Sequence, residues 1–441
     1  MSNPRLVAMD LLVRVEESDS YINLLLPSVL SRSNLADVDR GLVQELSYGV
    51  LRWQLQYDSF IKLLTPGKVL SPRIRIALRL GLHQLFRMRI PAHAAIHETV
   101  ELTKQFEKNA AGLTNAVLRN ADRTGFNSLL NQVLDGKSSN ESLAIRYSHP
   151  AWVVGALQSA LELDGRQGDL ERLLEANNET PTINLAALPG TKAAAFLANQ
   201  GLEPGAASPI GFLVQGNPEP LLANDGVRVQ DQGSQLVALA LLAVGNHDGR
   251  WLDMCSGPGG KSAVIQAGIA DGSGELDCLE PAAHRAELVR KALNSKLPGN
   301  VIVGYGQEAK PNTYDAILLD APCSGLGSVR RKPESRWRKK PEQLSGLTKT
   351  QSELLEAGIV ALRPGGYLLY STCSPLIIET NTQIKQVLEK HHDLELVNVN
   401  EVLNSLNPAL KMSTQRKTAQ LWTHLHGTDA MFMALLRKKL G

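Results

Sequence analysis

The sequence predicts a multidomain protein: an all-α domain, then a small α+β module, then a C-terminal doubly wound α/β domain. Three observations carry this. From Arg5 to about Arg123, apolar residues recur three and four apart, as in "RGLVQELSYGVLRWQLQYDSFIKLL", with few strand signals. The stretch "NQVLDGKSSNES" at 131–142 is polar and bears glycine and serine, the composition of a linker. Beyond about residue 234, nearly continuous apolar runs alternate with amphipathic ones, as in a parallel sheet covered on both faces. The expected domains are 1–140, 141–233 and 234–441. A length of 441 residues also argues for two or three domains.

Within the middle module, the helical run "PAWVVGALQSAL" precedes sequence rich in Pro, Gly and Asn, with short β-prone runs such as "TINLAAL" and "VRVQ". The run "QGSQLVALALLAVG" predicts the helix that opens the third domain. Strands follow at "RWLDMC", "GELDCLE", "NVIVG", "YDAILLDAP" and "GYLLYST". Between and after them, "KSAVIQAGIA", "AHRAELVRKALN", "EQLSGLTKTQSELLEAGIVAL" and "LIIETNTQIKQVLEK" read as helices. The last runs, "LELVNVN" and "MFMALLRK", add an expected antiparallel edge hairpin.

Composition narrows the function classes. Hydrophobic residues at 43% and charged residues at 20% describe a soluble globular protein, and no run of about 18 apolar residues offers a membrane span. The start "MSNPRLVAMD" lacks the layout of a signal peptide, so a cytoplasmic protein is expected, and separately a monomer. The net charge of +2 does not announce a polyanion, but its distribution does. No acid occurs between Asp58 and Glu98, where Lys62, Lys68, Arg73, Arg75, Arg79, Arg87 and Arg89 lie. The cluster "RRKPESRWRKK" at 330–340 sets seven basic residues against Glu334. Two such clusters predict a phosphate backbone as ligand. Cys255, Cys278, Cys323 and Cys373 are too few and too dispersed for a disulfide framework or a zinc ribbon. The histidines of "HAAIH" at 93–97 lack the glutamate of a zinc protease motif, and no metal is expected.

In doubly wound folds ligands bind beyond the carboxyl ends of the strands. There the first strand runs into "LDMCSGPGGKS", whose Gly257, Gly259 and Gly260 permit a sharp turn and close approach to a ligand. A phosphate-binding P-loop would need glycine where Cys255 stands, and a dinucleotide fingerprint is spaced differently. S-adenosylmethionine remains as the cofactor. Glu280, twenty residues after Gly260, stands where an acid would bind ribose hydroxyls.

Two further strands end in "LLDAPCSGLG" and "LLYSTCS", which bring Cys323 and Cys373 to the same crevice. A lone cysteine is usually a small core hydrophobe; two thiols leaving buried strands at one end of a sheet are harder to explain that way. A thiolate beside a methyl donor suits a substrate that needs covalent activation, and cytosine C5 becomes nucleophilic once a thiolate adds to C6. Asp320 is placed to steady the activated ring near N3 and the exocyclic amine.

Together "DMCSGPGGKS", "LLDAPCSGLGSVRRKPESRW" and "YSTCSP" resemble the RNA 5-methylcytosine methyltransferases of the RsmB (Sun, Fmu) group. The segments "RYSHPAWVV" (146–154), "VQDQGSQLVA" (229–238) and "HGTDAMFMALL" (426–436) look like further landmarks of that family, and the helical domain looks like the NusB-type RNA-binding fold. The resemblance implies a Rossmann-like class I methyltransferase domain. It also implies that Cys373 is the nucleophile and that Cys323 assists product release. By the same likeness Cys255, Ser256, Gly257, Pro258, Gly259, Gly260, Lys261 and Glu280 hold S-adenosylmethionine, with Asp320 where cofactor and base meet. The implied substrate is a cytosine of small-subunit (16S) ribosomal RNA. One departure is visible: where the family places an aspartate near the adenine, this chain has Tyr305 in "VIVGYGQEAK". The segment 330–340, with Trp337, is expected to grip RNA beside the target base. The alternatives are a non-catalytic RNA-binding or ribosome-assembly factor, and a DNA cytosine-C5 methyltransferase in which Cys323 attacks.

Overall fold

The computed structural model describes residues 3–18 and 20–440. It forms two compact units, one of Met1–Glu179 with Val329–Arg338 and one of Thr180–Ser328 with Lys339–Gly441.

The first unit is helical. Its helix Pro72–Arg87 starts where Ser71 Oγ accepts the Ile74 N–H at 3.3 Å and a proline fills the first turn. Ile76 and Leu80 of that helix join Leu11, Leu46 and Val50 in one core cluster, and Ile74, Leu78 and Leu82 join Tyr57, Phe60 and Leu118 in another. Each such side chain contributes about 1.5–3 kcal/mol through burial. The stretch 131–142 is mostly helix: Phe126–Leu134 ends in it and Ser139–Tyr147 begins in it. Its serines and glutamate form a capping box, Ser138 with Glu141, so the polar composition marks a helix start. The division between units therefore falls at Glu179/Thr180, after the helices Ala151–Leu163 and Leu170–Ala176, and not at the expected 140/141.

The second unit holds two sheets. The smaller has strands β1 (Ile183–Ala187), β2 (Gly211–Val214) and β3 (Val227–Val229) in the antiparallel order β2-β1-β3. No division falls at the expected 233/234, because the helix Gln232–Leu242 is knitted to this sheet. Gln232 Oε1 accepts the Ala207 and Ser208 N–H groups, and Gln235 Nε2 reaches the Leu185 carbonyl.

The larger sheet contains β4 (Arg250–Asp253), β5 (Glu275–Leu279), β6 (Asn300–Ile302), β7 (Tyr314–Asp320), β8 (Leu362–Thr372), β9 (Leu394–Val397), β10 (Ala419–Gln420) and β11 (Phe432–Lys438). Its order is β10-β11-β8-β7-β4-β5-β6, with β9 also on β11. The strands from β8 to β6 pair in parallel, and β11 runs antiparallel to β8, β9 and β10. The expected antiparallel edge is present, although 398–431 lies between its two strands. Alternate residues of β7 face opposite cores: Ala316 and Leu318 pack with the helix Gln232–Leu242, Ile317 and Leu319 with Leu354 and Leu355 of the helix Leu344–Ala361. This is the doubly wound Rossmann-like arrangement, and the strand order reverses between β7 and β4.

The basic segment departs from expectation. Residues 329–338 belong to the helical unit, where Arg336 and Glu334 are buried and Trp337 is half-buried. Arg336 donates to the Ser148 and Asn177 carbonyls and to Asn178 Oδ1, Trp337 Nε1 donates to the Leu51 carbonyl, and Arg338 donates to the carbonyls of Val15, Ser18 and Ser20. The cations meet helix-end carbonyls that need donors, so Trp337 and Arg336 are not a free grip for RNA. The other cluster is also partly spoken for. Arg79 forms a two-pronged pair with Asp58 at 2.7 Å, Arg75 pairs with Glu16, and Arg87 lies 3.4 Å over the Trp53 ring. Lys62, Lys68, Arg73 and Arg89 remain exposed.

Candidate active site

The loop after β4 forms the first wall. Ser256 ties it to the end of β5 through N–H and Oγ bonds of 3.0 Å to the Leu279 carbonyl. Asp253 closes β4 fully buried, accepting from Ser262 Oγ at 2.7 Å and from the Cys255 N–H at 3.4 Å. Burial raises its carboxyl to about 6. Burial likewise pushes the Cys255 thiol up, so that side chain is a neutral neighbour.

Glu280 stands at the end of β5, 2% exposed, with Arg285 Nη1 3.3 Å from Oε2 and the Ala282 N–H donating to Oε1. A Cβ at Gly257 would lie 2.1 Å from that Oε2, so only glycine lets the loop pass the carboxylate. Gln230 is a residue that the sequence reading did not single out. It is 8% exposed, both amide atoms lack a partner, and its Nε2 faces the start of the helix Gly260–Gly268, 3.6 Å from where a Gly260 Cβ would stand. One amide offering a donor and an acceptor beside a helix N-terminus suits a ligand that carries both ammonium and carboxylate. These residues thus fit the amino-acid end of a cofactor such as S-adenosylmethionine. Tyr305 is 61% exposed, and its N–H donates to Glu308 at 3.2 Å.

The second wall comes from β7 and β8, whose parallel register sets Asp320 opposite Ser371. Asp320 Oδ2 lies 2.7 Å from Lys261 Nζ, and its Oδ1 accepts from Ser371 Oγ at 2.9 Å. This pair joins the glycine loop to the strand ends. Burial opposes the Lys261 charge, but the neighbouring Asp320 carboxylate and the Cys373 sulfur outweigh it, and the pKa is raised. The cation therefore stays charged.

Just beyond these strand ends the two thiols meet, with Cys323 Sγ 3.4 Å from Cys373 Sγ. The loop holding Cys323 is laid on its neighbour: the Gly327 N–H donates to the Cys373 carbonyl, and the Ala430 N–H to the Gly327 carbonyl, both at 2.9 Å. A Cβ at Gly327 would come within 2.1 Å of the Ala430 oxygen. The hydrogen bond to Cys373 comes first among the causes that hold Cys323 well above an ordinary thiol pKa, followed by burial and by the charges of Cys373, Glu379 and Asp320. Cys323 is therefore held as the neutral thiol, and the Cys373 sulfur lies within electrostatic reach of Lys261. The fourth cysteine, Cys278, is a buried member of the core.

Two of the landmark segments also meet. Asp231, which caps the helix Gln232–Leu242, accepts from the Asp429 N–H at 3.1 Å across 198 residues of sequence. In the helical unit, Ser148 of "RYSHPAWVV" supplies a carbonyl to Arg336. Among the described residues there is no cluster of three or more side chains able to hold a metal, and no helix is long and apolar enough to cross a membrane.

Two family models match the chain: "16S rRNA methyltransferase RsmB/F" over residues 239–437 and "NusB family" over 2–123. The "Putative methyltransferase MT1451" of Mycobacterium tuberculosis is 37% identical over 98% of this chain and 96% of its own. The ribosomal RNA small subunit methyltransferase B of Pseudomonas putida is 35% identical over 88% of this chain and 89% of its own. Among solved structures, PH0851 is similar in fold, with a TM-score of 0.78 at 19% identity over 99% of both chains.

Proposed function

The chain belongs to the RsmB/F family of 16S rRNA methyltransferases, with a NusB-family region at its N-terminus, and from that premise we propose that it methylates C5 of a cytosine in small-subunit ribosomal RNA. Its cofactor is S-adenosylmethionine, which supplies an electrophilic methyl group. Gln230 and the loop 255–261 would hold the amino-acid end and Glu280 the ribose hydroxyls. The exposed Lys62, Lys68, Arg73 and Arg89 of the helical unit are the cations available to an RNA backbone there.

In the proposed mechanism Cys373 adds as thiolate to C6, which makes C5 a nucleophile. Asp320, held by Lys261 and Ser371, accepts from the exocyclic amine and the protonated N3 of the ring. Once Cys373 is bonded to carbon, its charge and its acceptor lone pair are lost to Cys323, and two of the causes that keep the Cys323 proton disappear. Once C5 is methylated, Cys323 releases its proton to water and, as thiolate, takes the C5 proton; the electrons left at C5 re-form the C5–C6 double bond, the C6–S bond breaks and Cys373 leaves as thiolate. The raised pKa of Cys323 and the Lys261 charge within reach of Cys373 support this order of the two thiols.

The observation that carries this reading is the thiol pair, 3.4 Å apart at the ends of adjacent parallel strands and one ion pair away from the glycine loop. Adduct trapping tests it. RNA containing 5-fluorocytosine lacks the proton to be removed, so wild-type protein should be captured covalently while Cys373→Ser is not. With ordinary RNA, Cys323→Ser should accumulate the protein–RNA adduct. Capture by Cys373→Ser and not by Cys323→Ser would make Cys323 the nucleophile and sink the assignment.

A further inference from the structure

Glu379 lies outside both cysteine motifs, in a short 3-10 turn after β8, and is 0% exposed. Its oxygens are surrounded by donors from both thiol loops. Oε1 accepts the Ser324 N–H at 2.7 Å and Gln351 Nε2 at 3.1 Å. Oε2 accepts the Ser324 hydroxyl at 2.6 Å and the Ser374 hydroxyl. Those serines are the residues that immediately follow Cys323 and Cys373. Gln351 Nε2 also reaches the Pro322 carbonyl at 2.9 Å, on the other side of Cys323. The Tyr370 hydroxyl donates to the Glu379 carbonyl, which fixes the turn from below.

A buried carboxylate is costly unless its lone pairs are satisfied, and here two oxygens take four donors. No neutral side chain of this size accepts four. An apolar side chain would leave the serine hydroxyls and the Ser324 N–H without acceptors, and an amide would turn donors toward donors. The feature is built for a charge.

We propose that Glu379 is a positioning residue for the reacting thiols, a single anion that clamps the turn after Cys323 to the turn after Cys373 and so sets the spacing between the two sulfurs. The inference rests on the reading of Cys373 and Cys323 as the reacting pair. The same anion acts on Cys323 electrostatically, as one of the charges that keep its proton in place before Cys373 is engaged. The clamp therefore governs geometry and timing together.

The test uses the full-length protein and two separate readouts. Glu379→Gln should lower kcat about 10–100-fold with KM for RNA and cofactor little changed, because neither ligand is touched while the reacting atoms lose their alignment. The second readout is the pH profile of alkylation of Cys323 by iodoacetamide, followed by peptide mass spectrometry without RNA or cofactor. Removing a negative charge lowers a thiol pKa, so the midpoint should move to lower pH in Glu379→Gln. Looser packing would also lower the pKa by admitting water to the thiol, so the charge is credited only with the shift beyond that of the Ser374→Ala variant, which loosens the clamp and keeps the charge. Ser374→Ala should lower kcat and move the midpoint less than Glu379→Gln does. If Glu379→Gln does not fold, Glu379→Asp carries the test: charge kept, reach shortened, kcat lowered. A midpoint that moves no further in Glu379→Gln than in Ser374→Ala, or kcat within twofold of wild type in the variant that folds, overturns the proposal. Because the alkylation profile needs no methyl transfer, it stands whether or not wild-type protein forms an adduct with RNA.

Discussion

Asp253 shows how one buried residue links stability to the cofactor wall. Burial raises its carboxyl from 3.8 to about 6. Between those values the unfolded chain has released a proton that the folded chain still holds, so folding stability falls as pH rises through that interval. About two pH units at roughly 1.4 kcal/mol each bound the effect at about 3 kcal/mol. Urea unfolding at pH 4, 5 and 6 should show the wild type losing stability relative to Asp253→Asn as the pH rises. Equal slopes would mean that the carboxyl titrates normally. The sequence shows an aspartate at the end of an apolar strand, yet nothing local reveals that Ser262, nine residues on, is its donor. Glu379 was hidden in the same way. Its only sequence signal is an acid set among apolar residues in "SPLIIET", just after the second cysteine. By contrast the two thiols, Asp320 and the glycine loop were legible, because each ends a nearly continuous apolar run and a parallel sheet brings such ends together.

At the scale of elements, the segment 329–338 carries the main lesson. Seven basic residues in 330–340 read as a loop made for phosphate, since charge in a sequence does not say which acceptor it meets. The acceptors of Arg336 and Arg338 are the Asn178 side-chain oxygen and main-chain carbonyls, 158 to 323 residues away, among them that of a left-handed Ser148 at φ 53°. Desolvation of Arg336 is costly, and burial pushes its pKa down to about 9; three hydrogen bonds offset that cost. Replacing it by methionine would keep the volume and leave those acceptors bare, with an expected loss of about 2–4 kcal/mol. Chemical denaturation of Arg336→Met measures this, and a change below about 0.5 kcal/mol would return the segment to the status of a solvated loop. The polar 131–142 stretch misleads for a related reason: serine and glutamate at the right spacing cap a helix as readily as they fill a linker.

For the whole molecule, the order of classes was legible: helices first, then a small antiparallel sheet, then an alternating sheet. The limits of the compact units were not, because they depend on contacts such as Gln235 to Leu185 and Arg336 to Asn177 that composition does not register. The family relation accounts for the glycine loop, the paired cysteines and the helical N-terminal region in one chain. The central claim is the identity of the product. Small-subunit ribosomal RNA incubated with the full-length protein and S-adenosylmethionine carrying a labelled methyl group, then digested to nucleosides, should yield the label in 5-methylcytidine. Label in any other nucleoside, or none with a folded, cofactor-binding protein, would contradict it.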